Sequence, residues 1–207
     1  MNKDCVGVAL AVFATVAALT GCVSLGDSSD TPAAVYYVLN DTAPAAAAPA
    51  VQPPTTVTTL RVLDTTTGSF YDTERLVFSR SADTRGHYQF ARWTERPGKR
   101  FADLMRTRLD HQGIWNVSAG DGHVGADWLL DTELIEFYHD AASNPGQLRL
   151  VLRADLVDTR QRKLLGRRVF EQQVALASYD AAGAAQASSQ AVSRVLDDLT
   201  AWLTQFK

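Results

Sequence analysis

Cysteine is scarce: the 207 residues hold two, Cys5 and Cys22, with four histidines and two methionines. Cys5 sits just before an apolar N-terminal run, and removal of both as a leader leaves Cys22 as the last thiol. An internal disulfide and a Cys-x-x-Cys redox site are then both excluded. There is no His-Glu-x-x-His, no Gly-x-Ser-x-Gly and no phosphate-cradling glycine loop, so the residue patterns of zinc proteases, serine hydrolases and P-loop enzymes are missing. An excess of positive charge is lacking as well. Twenty basic and 23 acidic residues give a net charge of −3, which provides no electrostatic footprint for nucleic acid.

The N-terminus is the most informative stretch. Lys3 supplies a positive flank, and residues 6–19 form an apolar run shorter than the roughly 20 residues that cross a bilayer. This is the pattern of an export signal. It stops at Leu19-Thr20-Gly21-Cys22, which resembles a bacterial lipobox. The resemblance implies cleavage before Cys22, a diacylglyceryl group on its thiol and an acyl chain on the new N-terminus, with no other cofactor. Small residues at Thr20 and Gly21 give a peptidase access to the backbone. Each buried methylene contributes about 0.8 kcal/mol, so two or three chains anchor stably where one does not. Lys3 and Asp4 leave together with the leader, so the net charge stays at −3. By the usual sorting rule an Asp after the Cys favours the inner membrane. Val23 and Ser24 stand there instead, which points to the periplasmic face of the outer membrane.

Residues 1–21 are therefore read as a signal peptide, 22–34 as a lipidated start and flexible tether, and 35–207 as one domain large enough to bury a core. Val35-Tyr36-Tyr37-Val38-Leu39 reads as a first strand. Residues 40–56 are an Ala/Pro-rich, low-complexity loop, expected to be exposed and partly extended. Strands are expected over residues 57–63, 74–80, 87–93 and 114–117. Between the last two, Phe101, Leu104, Met105 and Leu109 recur at helical spacing, with Gly113 placed to end the helix. Trp128, Leu130, Thr132 and Leu134 alternate with Asp127, Asp131 and Glu133. Leu148, Leu150, Leu152, Ala154 and Leu156 alternate with Arg149, Arg153 and Asp155, and Phe170, Val174 and Leu176 continue a third strand. Turns at Asn144-Pro145-Gly146 and residues 160–166 make these an antiparallel meander. From Ala181 onward Val192, Val195, Leu196, Leu199, Leu203 and Phe206 form one apolar helical stripe. The expected fold is α+β: a single domain with a largely antiparallel β-sheet covered on one face by two α-helices.

Several local features together resemble a known family. They are Tyr36-Tyr37-Val38-Leu39 after the lipobox, Tyr71-Asp72-x-x-Arg75-Leu76-Val77-Phe78-x-Arg80, Trp93-x-Glu95-x-Pro97, Ala126-Asp127-Trp128-x-Leu130, and a terminal helix with Trp202-Leu203. In this order they are similar to the ABC-type transport auxiliary lipoproteins, the PqiC-like family. The resemblance implies a non-enzymatic outer-membrane lipoprotein facing the periplasm. It implies partners too: an MCE-domain protein and its ABC transporter, moving phospholipid or other hydrophobic molecules between membranes. A homo-oligomer gathered around a tubular partner is a further expectation. The Ala/Pro stretch at residues 43–54 is longer than the family's usual connection, and residues 120–125 match no motif. The competing expectation is an assembly or plug lipoprotein for an outer-membrane β-barrel.

Candidate partner-contact residues within the motifs are Tyr71, Asp72, Arg75, Arg80, Trp93, Glu95 and Pro97. Three of them also have a structural reading: Asp72 as a turn cap, Arg75 at a strand end, Trp93 closing the core against the first helix. Asp121, His123 and Asp127 are the nearest approach to a metal set, yet the spacing is common by chance and no metal is expected. Asp131, Glu133 and Glu136 fit a solvated strand face better than an acid/base pair. Arg160, Arg162, Lys163, Arg167 and Arg168 are the one basic concentration. They either touch lipid headgroups or an acidic partner, or keep a hairpin tip soluble. Replacing the lipobox cysteine, Cys22→Ala, is expected to abolish acyl labelling and release the protein from the outer membrane in fractionation; equal membrane retention contradicts the anchor.

Overall fold

The alternation in the second half of the chain folds as three long strands. A computed structural model describes residues 32–43, 58–120 and 125–206. Within them the order is β1 (Val35–Tyr37), β2 (Thr59–Val62), β3 (Thr66–Thr67), β4 (Arg75–Ser79), β5 (Gly86–Trp93), α1 (Pro97–His111), β6 (Asn116–Ala119), β7 (Trp128–Asp140), β8 (Gln147–Asp158), β9 (Lys163–Ala175) and α2 (Ala181–Leu203), then a 3-10 turn at Thr204–Phe206. The fold is α+β, and residues 34–207 make one compact unit.

β8 pairs antiparallel with β7 from Asp158 opposite Trp128 to Gln147 opposite Asp140, and with β9 on its other side. The register of β7 slips between Leu134 and Glu136. One extra residue in a strand reverses which parity faces the core. Leu130, Thr132 and Leu134 are buried before the slip, Phe137 and His139 after it, and Ile135 is left exposed. Simple alternation cannot anticipate such a reversal.

The other edge of β7 is shared out among short strands. β2, β3 and β4 all pair with it in parallel, at Leu60 opposite Trp128, Thr66 opposite Glu133 and Phe78 opposite His139. β6 adds in parallel to β2, β5 antiparallel to β4, and β1 in parallel to β5. The long ladders are antiparallel, as expected, whereas the short ones are mostly parallel. Their mates lie far apart in sequence and leave no local signal.

Both helices bury an apolar face. α1 starts at Pro97, earlier than its first periodic apolar residue, because proline suits the first helical position. It buries Phe101, Met105 and Leu109, and Gly113, at φ +63°, turns the chain just past its end. α2 is capped by Asp180, whose carboxylate accepts the Gly183 N–H at 2.7 Å. Its first half packs Ala184, Ala187 and Ser188; its second half packs Val192, Val195, Leu196, Leu199 and Leu203. Fully burying such a side chain contributes about 1.5–3 kcal/mol.

The start of the Ala/Pro loop departs from expectation. Ser189 Oγ accepts the Asn40 N–H at 3.2 Å and Ser193 Oγ accepts the Thr42 N–H at 2.6 Å. Arg108 of α1 donates to both carboxylate oxygens of Asp41, at 2.8 and 2.5 Å, and also pairs with Asp197 of α2. Burial works against the Asp41 charge, yet Arg108, Ser193 and the Ala43 N–H hold its carboxyl below the ordinary range. One arginine thus ties the segment after β1 to both helices. The remainder of the loop, residues 44–57, lies outside the described residues.

A buried histidine joins three segments. His139 Nε2–H donates to the Pro145 carbonyl at 3.0 Å, and its Nδ1 accepts from the Tyr88 hydroxyl at 2.7 Å. Burial, with Tyr179 and Asp180 nearby, pushes the Tyr88 hydroxyl up to about 12, so it stays a donor. A side chain at Gly146, at φ +79°, would strike the Asp140 carbonyl and the His139 ring. Burial also lowers the His139 imidazole below its ordinary range, against the pull of Pro145, Asp140 and Asp180. The unfolded chain then binds the proton first. The stabilisation is fully present above the unfolded value of about 6.5 and is lost as pH falls through the folded one. Urea midpoints should therefore decline from neutral pH toward pH ~5. His139→Phe should flatten that decline while costing about 1–3 kcal/mol at neutral pH for the partners left unpaired. His87, also lowered by burial, retains part of the slope. An unchanged slope in His139→Phe contradicts this assignment.

Candidate functional site

The motif residues fall into two groups. Tyr71, Trp93 and Pro97 line one small cavity of about 10 Å³, together with Phe137, His139, Ala184 and Ser188. That is room for one water. Trp93 is 3% exposed and stacks on Phe137 with ring centroids 5.9 Å apart. Pro97 begins α1 beside it. The Tyr71 hydroxyl accepts from Arg85 Nε at 3.1 Å, and the Arg85 guanidinium lies 3.8 Å over the Tyr138 ring.

The second group is at the surface. Asp72 accepts from Arg96 at 3.0 and 3.2 Å, bridging the turn before β4 to the start of α1. Glu95 pairs with Lys99 at 3.8 Å, one helical turn on. Arg80 lies 5.1 Å over Phe78. Arg75 is exposed and stands opposite Arg92 of β5, which in turn stands opposite Tyr36 of β1. Leu19, Thr20, Gly21 and Cys22 lie outside the described residues, as do Asp121 and His123. Asp127 is described: its carboxylate accepts the Thr59 N–H at 3.0 Å and pairs with Arg160 at 2.5 Å.

The face of the sheet away from the helices is uneven in charge. On the β7–β9 half, Glu133 pairs with Arg153, Glu136 with Arg149, and Asp155 with Arg167. The slip at Ile135 puts Glu133 and Glu136 on the same face despite their spacing of three. The Arg167 hydrogen bonds hold the Asp155 carboxyl below its ordinary range. The basic run at the β8–β9 hairpin is absorbed only in part: Arg160 and Arg167 have carboxylate partners, Arg168 lies over Phe170, and no ion pair holds Arg162 or Lys163 among the described residues. On the β1–β5–β4 half, neither Arg75 nor Arg92 has a carboxylate within ion-pair distance among the described residues. Arg92 donates to the carbonyls of Tyr88, Gln89 and Ala91 instead.

Sequence reasoning passed over His139, Arg85 and Arg108. A histidine at the core parity of a strand is a usable signal, but the slip at Ile135 hides the parity. Arg108 gives none, since its partners Asp41 and Asp197 lie 67 and 89 residues away.

Solved structures share this architecture. Protein XCC0632 from Xanthomonas campestris is similar with a TM-score of 0.72 and 20% identity, over 82% of this chain and 94% of its own. An uncharacterized protein gives a TM-score of 0.64 at 12% identity, over 83% and 99%. Hypothetical protein CT253 from Chlamydia trachomatis gives 0.50 at 10%, over 72% and 96%. Likeness at these identities concerns the fold alone. No curated protein matches the chain. The family model for the ABC-type transport auxiliary lipoprotein component matches residues 37–200, from the end of β1 into the last turns of α2, and the chain belongs to that family.

Proposed function

We propose that this protein is a lipid-anchored, non-catalytic docking subunit on the periplasmic face of the outer membrane. In this reading it serves an ABC transporter and its MCE-domain protein, which carry phospholipid or another hydrophobic cargo between membranes. The observation that carries the reading is positional. The compact unit begins at Ala34, only residues 23–33 beyond the lipobox cysteine, and the family match covers nearly all of that unit. About a dozen residues reach ~40 Å at full stretch and ~20 Å as a coil, so the anchor confines the domain to a thin layer. Confinement raises its effective concentration for a partner that spans the same space, without any new contact.

The polar core supports a structural rather than a chemical role. Ser188 and Ser193 donate to carbonyls of their own helix, and both nitrogens of His139 are engaged. Among the described residues these side chains are committed to holding α2 and β7. Affinity purification of the lipidated protein from envelopes should recover an MCE-domain protein and its ABC transporter. Recovery of an outer-membrane β-barrel in their place overturns this reading in favour of an assembly or plug lipoprotein.

A further inference from the structure

We infer that the β1–β5–β4 end of the open sheet face, centred on Tyr36, Arg92 and Arg75, rests on the phospholipid headgroups of the membrane that carries the anchor. Three observations converge on one patch. Tyr36, Arg92 and Arg75 occupy consecutive register positions on three adjacent strands, and residues directly opposite one another project to the same face. They form a row about 10 Å long at the usual strand spacing. Exposed surface continues along the same side of the chain: Tyr36 is 61% exposed and Val38, two residues on, 49%. Phe70, also exposed, stacks on His87 at 4.5 Å, and His87 feels the charges of both Arg75 and Arg92.

Charge pairing separates this patch from the rest of the face. Across β7–β9 each arginine facing a carboxylate is paired with it, whereas Arg75 and Arg92 have no acidic partner among the described residues, and the nearby Asp72 is held by Arg96. Unneutralised guanidinium groups beside tyrosine and valine match a headgroup layer. Phosphates meet the arginines there, while an amphipathic ring lies at the boundary between water and hydrocarbon.

The covalent path favours this surface. β1 is the first element of the domain, so the chain leading back to Cys22 leaves from this corner. An anchor about a dozen residues away, at most ~40 Å, keeps this corner within reach of the bilayer. β1 is also a sheet edge, paired only with β5 among the described residues. The inference rests on the anchored reading above, and its test leaves the anchor out.

The mature chain, residues 22–207 with Cys22→Ser, carries no acyl group and reports the patch alone. It should co-sediment with vesicles of phosphatidylethanolamine and phosphatidylglycerol, less so as salt is raised, and little with phosphatidylcholine vesicles. Arg75→Gln should reduce partition roughly fivefold, the value of one arginine near an anionic surface. Tyr36→Ser should also reduce it. Arg153→Gln, on the paired half, should leave it unchanged. Matching thermal melts for the parent and Arg75→Gln show that the loss is not unfolding, and Tyr36→Ser supplies an independent reading should that variant fold poorly. Vesicle binding that survives both patch substitutions overturns the inference, as does no binding by the parent. Displacement by inorganic phosphate at equal ionic strength does so too, because it marks a free-anion site. None of these results bears on whether Cys22 is acylated in cells.

Discussion

The fold depends on β7 being paired along both edges. One edge carries the full length of β8; the other accepts β2, β3 and β4 in turn. A strand satisfied on both sides can be buried, and Leu130 and Leu134 are fully buried with Leu150 and Leu152 beside them on β8. The slip at Ile135 lets one strand serve two partners of different register, keeping a continuous apolar surface beneath α2 while moving Glu136 into line with Glu133 on the opposite face. Core and charged ladder therefore share one cause.

Sequence legibility followed the range of the interactions. The β7–β9 meander and the α2 stripe could be read because their periodicity is local and their turns are short. Gly113 was placed correctly as the end of α1 because a positive φ favours glycine. The parallel strands were legible only as isolated runs, since Leu60 meets Trp128 across 68 residues and nothing in either segment names the other. The two-residue β3 lies below any periodic signal. Asn40 to Ala43 looked like the start of a free loop, because serines at positions 189 and 193 and an arginine at 108 give no sign that they reach it.

The candidate site shows the same division. The motif residues were found, but their roles separate only in three dimensions: Trp93 and Pro97 pack, Asp72 bridges to Arg96, and Arg75 is left without a carboxylate. The basic run after Arg160 was the visible concentration of charge, and within it carboxylates outside the run pair with Arg160 and Arg167. A second place without carboxylate partners is assembled from Arg75 of β4 and Arg92 of β5, with Tyr36 of β1 beside them.

The proposed role is one in which the domain acts through placement. A nine-stranded sheet with one matched and one unmatched half of its open face, beginning about a dozen residues after Cys22, suits the proposed subunit held at a membrane. Intact mass spectrometry of the protein taken from cell envelopes tests this most directly. The account predicts a chain beginning at Cys22 with the added mass of a diacylglyceryl group and an amide-linked acyl chain; an uncut leader or a free Cys22 thiol contradicts it.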